Sequence, residues 1–333
     1  MFFRSAAALA FSLVAAPAAA VCVGDSYLDR MTPDQQMQLS AAVDGMPYAE
    51  GLIWTATKRD AAITIVGTMH IYDPRLEDLR AQLNDTVATA DLVMLEATPE
   101  EEAQLQNLIT TEPERLFIVD GPTLPELVDE DTWQLIAAAA TERGIPSFMA
   151  AKMQPWYLSL TLGIPSCAMT DMMAGVRGLD HMIIQDAEAA GVPMQAVEPY
   201  TTLFDLFKDD SFEEQVDMLR VSMLVPELQE QMFVAMLDHY FAEDVGRLWE
   251  MSRIALSDVP DLDQAEANAM FIDMEESLLN TRNRNWIPVI TQASAAHDDI
   301  VVAVGAAHLI GTEGILRLLE NEGWTITRGI AAE

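Results

Sequence analysis

Two histidines of this 333-residue chain each stand just beyond an apolar, β-branched run that is typical of a buried strand. Residues 63–66 lead through a glycine to His70 near the start, and residues 300–304 lead through a glycine to His308 near the end. Because glycine lets the backbone turn sharply, we expect each imidazole directly past the carboxyl end of its strand. That edge is where open α/β sheets bind ligands and place their chemistry.

Two glutamates occupy the same kind of position. Glu96 ends the apolar run 91–96, and Glu198 ends a shorter strand-like run over 193–198. If the four strands share one sheet, two imidazoles and two carboxylates meet at one edge. The alternative for Glu96 is a place in the first turn of a helix, because a Thr98-Pro99 helix start follows it.

This set of side chains could bind a divalent metal ion. Imidazoles and carboxylates are common ligands of transition metals and leave positions open for water and substrate. We expect His70, His308 and Glu96 to bind Mn²⁺, Co²⁺ or Zn²⁺, which would activate water for hydrolysis of an amide or ester. A carboxylate not bound to the metal, Glu198 included, could act as general base. The spacing is unlike that of helix-borne zinc sites, so the expectation depends on the strands converging.

A small basic cluster stands out in an acidic chain. The protein has 53 Asp and Glu against 18 Lys and Arg, a net charge of −35, yet Arg282, Asn283 and Arg284 are consecutive. We expect Arg282 and Asn283 to belong to the catalytic set, holding a carboxylate, binding a substrate carbonyl or stabilising an oxyanion. Surface ion pairs with the acidic residues 273–276 are the alternative. The overall charge argues against nucleic acid as a partner and favours cations or basic peptides near the surface.

The sequence pattern predicts that the elements positioning these residues form an α/β fold, a mixed central sheet flanked by helices. Apolar alternation predicts a hairpin over 52–66, helical spacing predicts a helix over 74–90, and 91–96 reads as the next strand. This strand, helix, strand unit implies parallel pairing with a right-handed crossover. Other predicted helices and strands follow, namely helices at 33–43, 99–110, 131–143, 179–190, 283–296 and 311–320 and strands at 147–149, 193–198, 300–304 and 324–327.

The stretch from about 200 to 280 is nearly continuous helical pattern without a strand candidate. We predict that it is a helical insertion that covers the sheet. The predicted organisation is therefore a single domain over 21–333 that carries this insertion, preceded by a short targeting segment.

That targeting segment spans residues 1–20. It combines an early Arg4, an apolar stretch and the small-residue end Ala18-Ala19-Ala20, which is typical of a secretory signal peptide. The apolar stretch is shorter than the roughly 20 residues that a spanning helix needs. We expect a periplasmic or secreted protein without stable membrane insertion after cleavage.

The chain contains only two cysteines, Cys22 and Cys167. In an exported protein the two could form one disulfide, which would close a long loop and hold the mature N-terminus. Two separate buried thiols are the alternative.

Taken in order, the motifs resemble the TraB/GumN family, also written TraB/PrgY/GumN, which is related to the Tiki metalloproteases. The matching positions are Gly67-Thr68-Met69-His70, Glu96, Gly178-Leu179-Asp180, Glu198, Arg282-Asn283-x-x-Trp286 and Gly305-Ala306-Ala307-His308-Leu309. The resemblance implies a Tiki/TraB-like fold and a metal-dependent, peptidase-like hydrolase. His70 and His308 would be metal ligands or catalytic groups with Glu96 beside them.

More distant relatives of that family include erythromycin esterases and haem-binding lipoproteins, which keeps two other functions open. In the first, His70 and Glu96 activate water without a metal, as in an esterase. In the second, the protein is a periplasmic accessory protein whose histidines hold haem or another ligand. The substrate, in either enzyme form, is expected to be a peptide or a small molecule.

Overall fold

Six strands form one mixed sheet in the computed structural model, which describes residues 22–208, 210–223, 226–259 and 262–330. The predicted signal peptide lies outside the described residues. The strand order is β4-β3-β5-β2-β1-β6. Strand β1 is antiparallel to β2 and β6, whereas β2, β5, β3 and β4 run parallel. The bounds are β1 Ile53–Lys58, β2 Ala61–Thr68, β3 Leu92–Leu95, β4 Met194–Ala196, β5 Asp299–Gly305 and β6 Thr325–Arg328.

The carboxyl ends of the four parallel strands meet at one edge of the sheet. Thr68 of β2 lies opposite Gly305 of β5, and Leu95 of β3 lies opposite Ala303 of β5 and Ala196 of β4. The groups that follow these strands therefore start from neighbouring positions.

One pairing expectation is wrong in detail. β2 and β3 are parallel, but β5 lies between them and pairs with both. Residues 300–304 of β5 are buried throughout, and so are all four residues of β3. Because consecutive strand residues face opposite sides, both faces of these strands are covered. Strand β5, which comes late in the chain, thus lies between β2 and β3 in the sheet. The order of elements along the sequence does not predict this insertion.

Helices surround the sheet. The pair α3 and α10 pack on each other, and α10 and α16 both contact β5. The α-helices are α1 Tyr27–Arg30, α2 Pro33–Val43, α3 Leu76–Thr89, α4 Pro99–Thr111, α5 Leu124–Leu127, α6 Glu130–Glu142, α7 Ser147–Ala150, α8 Pro155–Gly163, α9 Ser166–Met173, α10 Leu179–Ala190, α11 Thr202–Asp205, α12 Phe212–Met223, α13 Pro226–Phe241, α14 Val245–Leu256, α15 Gln264–Glu275, α16 Thr281–Ser294 and α17 Ile315–Asn321.

Three helical segments of other types lie among the described residues. A π-helix over Glu276–Asn280 runs directly into α16, and 3₁₀ turns occupy Pro113–Arg115 and Ala306–His308. The predicted helices at 33–43, 74–90, 99–110, 131–143, 179–190 and 283–296 are confirmed within a few residues, and that at 311–320 begins later, at Ile315. In the described part of 200–280 every regular element is a helix.

The predicted short strand at 147–149 is wrong, because these residues belong to α7. Its backbone closes helical turns, with the N–H of Ala150 donating to the carbonyl oxygen of Pro146. A segment of three residues is too short to distinguish a period of two from one of 3.6.

Cys22 and Cys167 form a disulfide across a sequence separation of 145 residues. This bond confirms the first of the two cysteine alternatives and fastens the start of the described chain to α9. Of the helices in the described ranges, none combines the length and the apolar character that crossing a membrane requires.

Candidate active site

The guanidinium of Arg282, in the first turn of α16, lies at the centre of the polar cluster. Its Nε donates to Glu198 Oε2 at 3.0 Å, and its Nη2 donates to Glu198 Oε1 at 2.6 Å and to Glu96 Oε2 at 2.5 Å. Its Nη1 donates to the Leu278 carbonyl oxygen in the π-helix and lies 3.3 Å from His308 Nε2. One side chain thus connects the ends of β3, β4 and β5.

The two arginines of the basic cluster have different roles. Arg284 is 44% exposed and pairs with Glu276 and Glu313 at the surface. Arg282 is only 15% exposed and pairs with both site glutamates. The surface-pairing alternative therefore describes Arg284, which contacts the acidic run before it, and not Arg282.

Glu198 is held from two sides. Besides the two bonds from Arg282, its Oε2 accepts a hydrogen bond from Trp286 Nε1 at 3.0 Å. The fully buried Trp286 ring also lies 4.3 Å from the His308 ring and 4.8 Å from the Arg282 guanidinium carbon. This arrangement makes Glu198 a carboxylate that fixes the orientation of Arg282.

Glu96 follows β3 and reaches across to β5. Its Oε1 accepts the backbone N–H of Gly305 at 2.7 Å and lies 3.9 Å from His308 Nε2. Burial by itself would raise the pKa of Glu96, but the imidazoles of His308 and His70, the Arg282 guanidinium and the Gly305 N–H together lower that pKa to about 2. Glu96 is therefore a carboxylate anion at every physiological pH.

His308 is buried, with only 4% of the residue exposed. Its Nδ1 lies 2.6 Å from Asn283 Oδ1, while Asn283 Nδ2 donates to the Glu313 carbonyl oxygen at 2.9 Å. This network assigns the proton of the neutral ring to Nδ1. Burial lowers the pKa of His308 to about 4, against the opposing charge of Glu96. His308 is thus a neutral imidazole near pH 7.

His70 differs from His308 in exposure and in charge. Its side chain is 63% exposed, and its Nδ1 lies 3.2 Å from Asp180 Oδ2. The hydrogen bond to Asp180, assisted by the negative charges of Asp180 and Glu96, raises the pKa of His70 to about 9, although burial of part of the ring opposes it. His70 is therefore an imidazolium near pH 7, with Nε2 as the nitrogen that faces away from Asp180.

A close backbone approach places His70 beside Asp180. The N–H groups of Gly178 and Leu179 at the start of α10 donate to the carbonyl oxygens of His70 and Met69 at 2.8 and 2.9 Å. A Cβ atom at position 178 would lie 1.8 Å from the Met69 carbonyl oxygen. Only glycine fits there, so Gly178 determines how closely the segment after β2 packs on α10.

A cavity of about 560 Å³ opens over this edge of the sheet. Its floor includes Thr68, Leu95 and Ala303, and the polar groups that line it include His70, Glu96, Asp180 and Glu198. The cavity therefore exposes an anionic and a cationic side chain, Glu96 and His70, to the same bound molecule.

The donor set does not fit the predicted metal ion in this arrangement. Each imidazole has its Nδ1 committed to an oxygen atom, as metal-binding histidines usually do. The Arg282 guanidinium, however, donates hydrogen bonds to oxygens of both glutamates and lies 3.3 Å from His308 Nε2. It therefore occupies the side of these groups on which an ion would bind. Among the residues that the structure describes, no three His, Cys, Asp or Glu side chains converge as ligands of one ion.

Sequence reasoning identified most of this cluster but missed the partner of His70. The structure brings Glu96, Glu198, Arg282, Asn283 and His308 into one hydrogen-bonded network. His70 stands beside that network and pairs with Asp180, for which the sequence predicts only a place at the start of the helix over 179–190. The sequence signal that could have identified this partner is Asp180 itself, an acidic residue that follows Gly178 in the first turn of α10.

Fold and site define an α/β protein with a charged centre at the carboxyl edge of its parallel strands. Residues 52–328 match the model of the TraB/PrgY/gumN family, so the chain belongs to this family, as the ordered motifs predicted. A comparison with curated proteins and a comparison with solved structures each found no match.

Proposed function

We propose that the protein is a hydrolase of peptide or ester bonds that uses Glu96 as general base and His70 as general acid. The observation that carries this proposal is that these two side chains, of opposite charge, face one cavity at the carboxyl edge of the sheet. Environments that separate the pKa values of two titratable groups are typical of acid and base partners in catalysis.

The reaction can be written with these two groups alone. A water molecule on Glu96 gives its proton to the carboxylate while its oxygen adds to the substrate carbonyl carbon. His70 donates its proton to the leaving amine or alkoxide as the carbon–nitrogen or carbon–oxygen bond breaks. The proton on Glu96 then returns to His70 through solvent, which restores both groups.

The remaining network holds Glu96 in place for this step. Arg282 and the Gly305 N–H each occupy one lone pair of a Glu96 oxygen, and each carboxylate oxygen has a second one left for water. Glu198 and Trp286 fix Arg282 in turn, and Asn283 fixes His308. On this proposal Arg282, Asn283 and Glu198 are positioning residues.

The test uses fluorogenic peptides and nitrophenyl esters with the purified protein. His70→Ala and Glu96→Gln should each lower kcat/KM by about 100-fold or more, the usual size of general acid–base catalysis. His297→Ala, three residues beyond the end of α16, is the matched control and should keep full activity. Hydrolysis that is unchanged in both site variants would contradict the proposal.

The same experiment decides the predicted metal dependence. Metal content is measured before and after exhaustive chelation, and activity is assayed in both samples. Activity that survives chelation supports the two-residue reaction. Activity that is lost and then restored by Mn²⁺, Co²⁺ or Zn²⁺ would replace it with the metal-dependent form. A Soret band on adding haem, without hydrolysis of any substrate, would favour the accessory-protein alternative.

We also propose that the protein works outside the cytoplasm, in the periplasm or secreted. The disulfide supports this location, because such bonds persist in oxidising compartments. Fractionation of cells that express the full chain tests it, with processing near residue 20 as the expected result.

A further inference from the structure

We propose that the cavity selects peptides that carry a lysine or arginine side chain, which it binds through Asp171 and the free acceptors of Asp180 and Thr68. This inference rests on the hydrolase function proposed above and names its substrate class. It starts from the charges of the cavity wall.

Most carboxylates of the wall already have partners. Glu96 and Glu198 are paired with Arg282, and Glu102 is paired with Arg177 at 3.0 Å. Glu101 accepts hydrogen bonds from Thr98 at the start of α4. Asp180 faces His70. In the described ranges, these ion pairs and caps leave Asp171 of α9 as the lining carboxylate with neither an ion pair nor a capping hydrogen bond.

Two buried polar atoms that belong to the lining residues also have no hydrogen-bond partner in the described structure. Asp180 Oδ1 is buried and unpaired, although Oδ2 faces His70. Thr68 is only 3% exposed, and its Oγ1 is unpaired at the cavity floor. A carboxylate oxygen can only accept, so its missing partner must be a donor. An unmet buried acceptor is destabilising, and an N–H donor of a ligand relieves that cost.

The wall around Asp171 suits the stem of a long basic side chain. Leu105, Met172, Val176 and Leu203 line the same cavity. Lysine and arginine lay their methylene groups along apolar surface and keep the charged head at a polar group. Two cations line the cavity in the described part of the chain, the Arg177 guanidinium and the His70 imidazolium, and Glu102 and Asp180 pair with them. The other lining carboxylates leave the wall with a net negative charge. The cavity therefore attracts cations, in keeping with the charge of the whole chain.

The test measures binding separately from catalysis. Isothermal titration of the full-length protein uses three blocked tripeptides of alanine with a central lysine, norleucine or glutamate. Norleucine has the length of lysine without its charge. We expect the lysine peptide to bind at least about tenfold tighter than the norleucine peptide, because an ion pair is stronger where it is partly shielded from water. The preference should decrease with added salt.

Two variants and one control locate the preference. Asp171→Asn should reduce the preference for lysine over norleucine to less than about threefold, whereas Asp85→Asn, an exposed residue of α3 with the same charge change, should leave it intact. Thr68→Val keeps the shape and removes the unpaired hydroxyl. It should weaken binding of the lysine peptide while the melting temperature stays equal or rises, which a merely structural role of Thr68 would not produce.

The outcomes separate this inference from the hydrolase proposal. Equal affinity for the lysine and norleucine peptides, or a preference that Asp171→Asn leaves unchanged, would overturn the inference. Binding preference without hydrolysis would contradict the hydrolase proposal and leave the cation site standing. Hydrolysis with equal kcat/KM for the charged and neutral peptides would contradict the cation site and leave the hydrolase proposal standing.

Discussion

At the scale of single residues, Arg282 is the group on which the site depends. Its guanidinium is largely buried, contacts two carboxylates and one imidazole, and lies over the ring of Trp286. Burial of a carboxylate is costly unless it is paired and hydrogen-bonded. Arg282 therefore permits Glu96 and Glu198 to be ionised at the edge of an apolar sheet.

Replacing Arg282 with alanine should destabilise the protein strongly. The change leaves Glu96 and Glu198 without their cation, and breaking a buried pair from one side costs about 3–5 kcal/mol. Urea unfolding at neutral pH measures the loss. Arg284→Ala is the matched control, and because its ion pairs are exposed it should cost less than about 1 kcal/mol. Equal effects of the two variants would contradict the central role of Arg282.

The buried histidines His308 and His239 also predict how stability depends on pH. The pKa of His308 is about 4 in the folded protein against 6.5 unfolded, so below pH 6.5 the unfolded chain binds more protons. Stability should fall as pH decreases from 6.5 towards 4, and burial of His239, which also lowers its pKa, adds in the same direction. Glu96, with its pKa lowered to about 2, adds a further loss below 4.5.

His308→Gln isolates the first of these contributions. The unfolding free energy of the wild type should drop between pH 6.5 and 4.5, and that of His308→Gln should drop less, because glutamine does not titrate while His239 is kept. Parallel curves for the two proteins would show that His308 is not held neutral in the fold.

The residue types of the site were predictable, whereas their partners were not. The apolar runs before His70, Glu96 and His308 are visible without any structure, and β-branched residues in the first and last favour strands. The contact between His70 and Asp180 joins segments more than a hundred residues apart through one glycine. Neither period nor propensity contains that information, because it arises from tertiary packing.

At the scale of elements, the site depends on how α10 and α16 meet the ends of the strands. The register of β2, β5 and β3 brings their carboxyl ends level, and the π-helix before α16 supplies the Leu278 carbonyl oxygen that holds Arg282. π-Helical turns are rare and occur often at functional sites. The helix at 179–190 was predictable from its pattern and from Gly191, whose φ of 73° ends it, but its approach to His70 was not.

Gly178→Ala tests the approach of α10 to the segment after β2. The new Cβ would collide with the Met69 carbonyl oxygen, and such overpacking costs about 1–3 kcal/mol or more. The shift should also separate His70 from Asp180, so the pKa of His70, measured by NMR titration, should fall from about 9 towards 6.5. Gly163→Ala, where a Cβ meets no atom within 4 Å, is the control and should change neither quantity.

The disulfide should stabilise the fold and the wall of the cavity together. Cys22–Cys167 closes a loop of 145 residues, for which chain entropy gives up to about 5 kcal/mol. Ala168, next to Cys167, lines the cavity. The double variant Cys22→Ser with Cys167→Ser should unfold at lower urea and bind the lysine peptide more weakly. Unchanged stability after full reduction would contradict this contribution.

At the scale of the whole molecule, charge is the dominant property. The net charge is −35, and the described basic groups of the site are enclosed by carboxylates. Excess charge of one sign destabilises a compact state through repulsion and attracts ligands of the opposite sign. The composition predicts the excess of negative charge, but only the structure shows that several of the carboxylates line one cavity.

Screening that charge should stabilise the fold. Raising NaCl from roughly 0.01 M to 0.15 M shortens the Debye length from about 30 Å to about 8 Å, which weakens repulsion between distant carboxylates. The melting temperature, measured by calorimetry at neutral pH, should therefore rise with salt. The same titration near pH 4.1, the isoelectric point of the sequence, is the control, because net repulsion is absent there and the melting temperature should stay almost constant. A melting temperature that falls with salt at neutral pH would show that the close ion pairs around Arg282 and its neighbours outweigh the long-range repulsion.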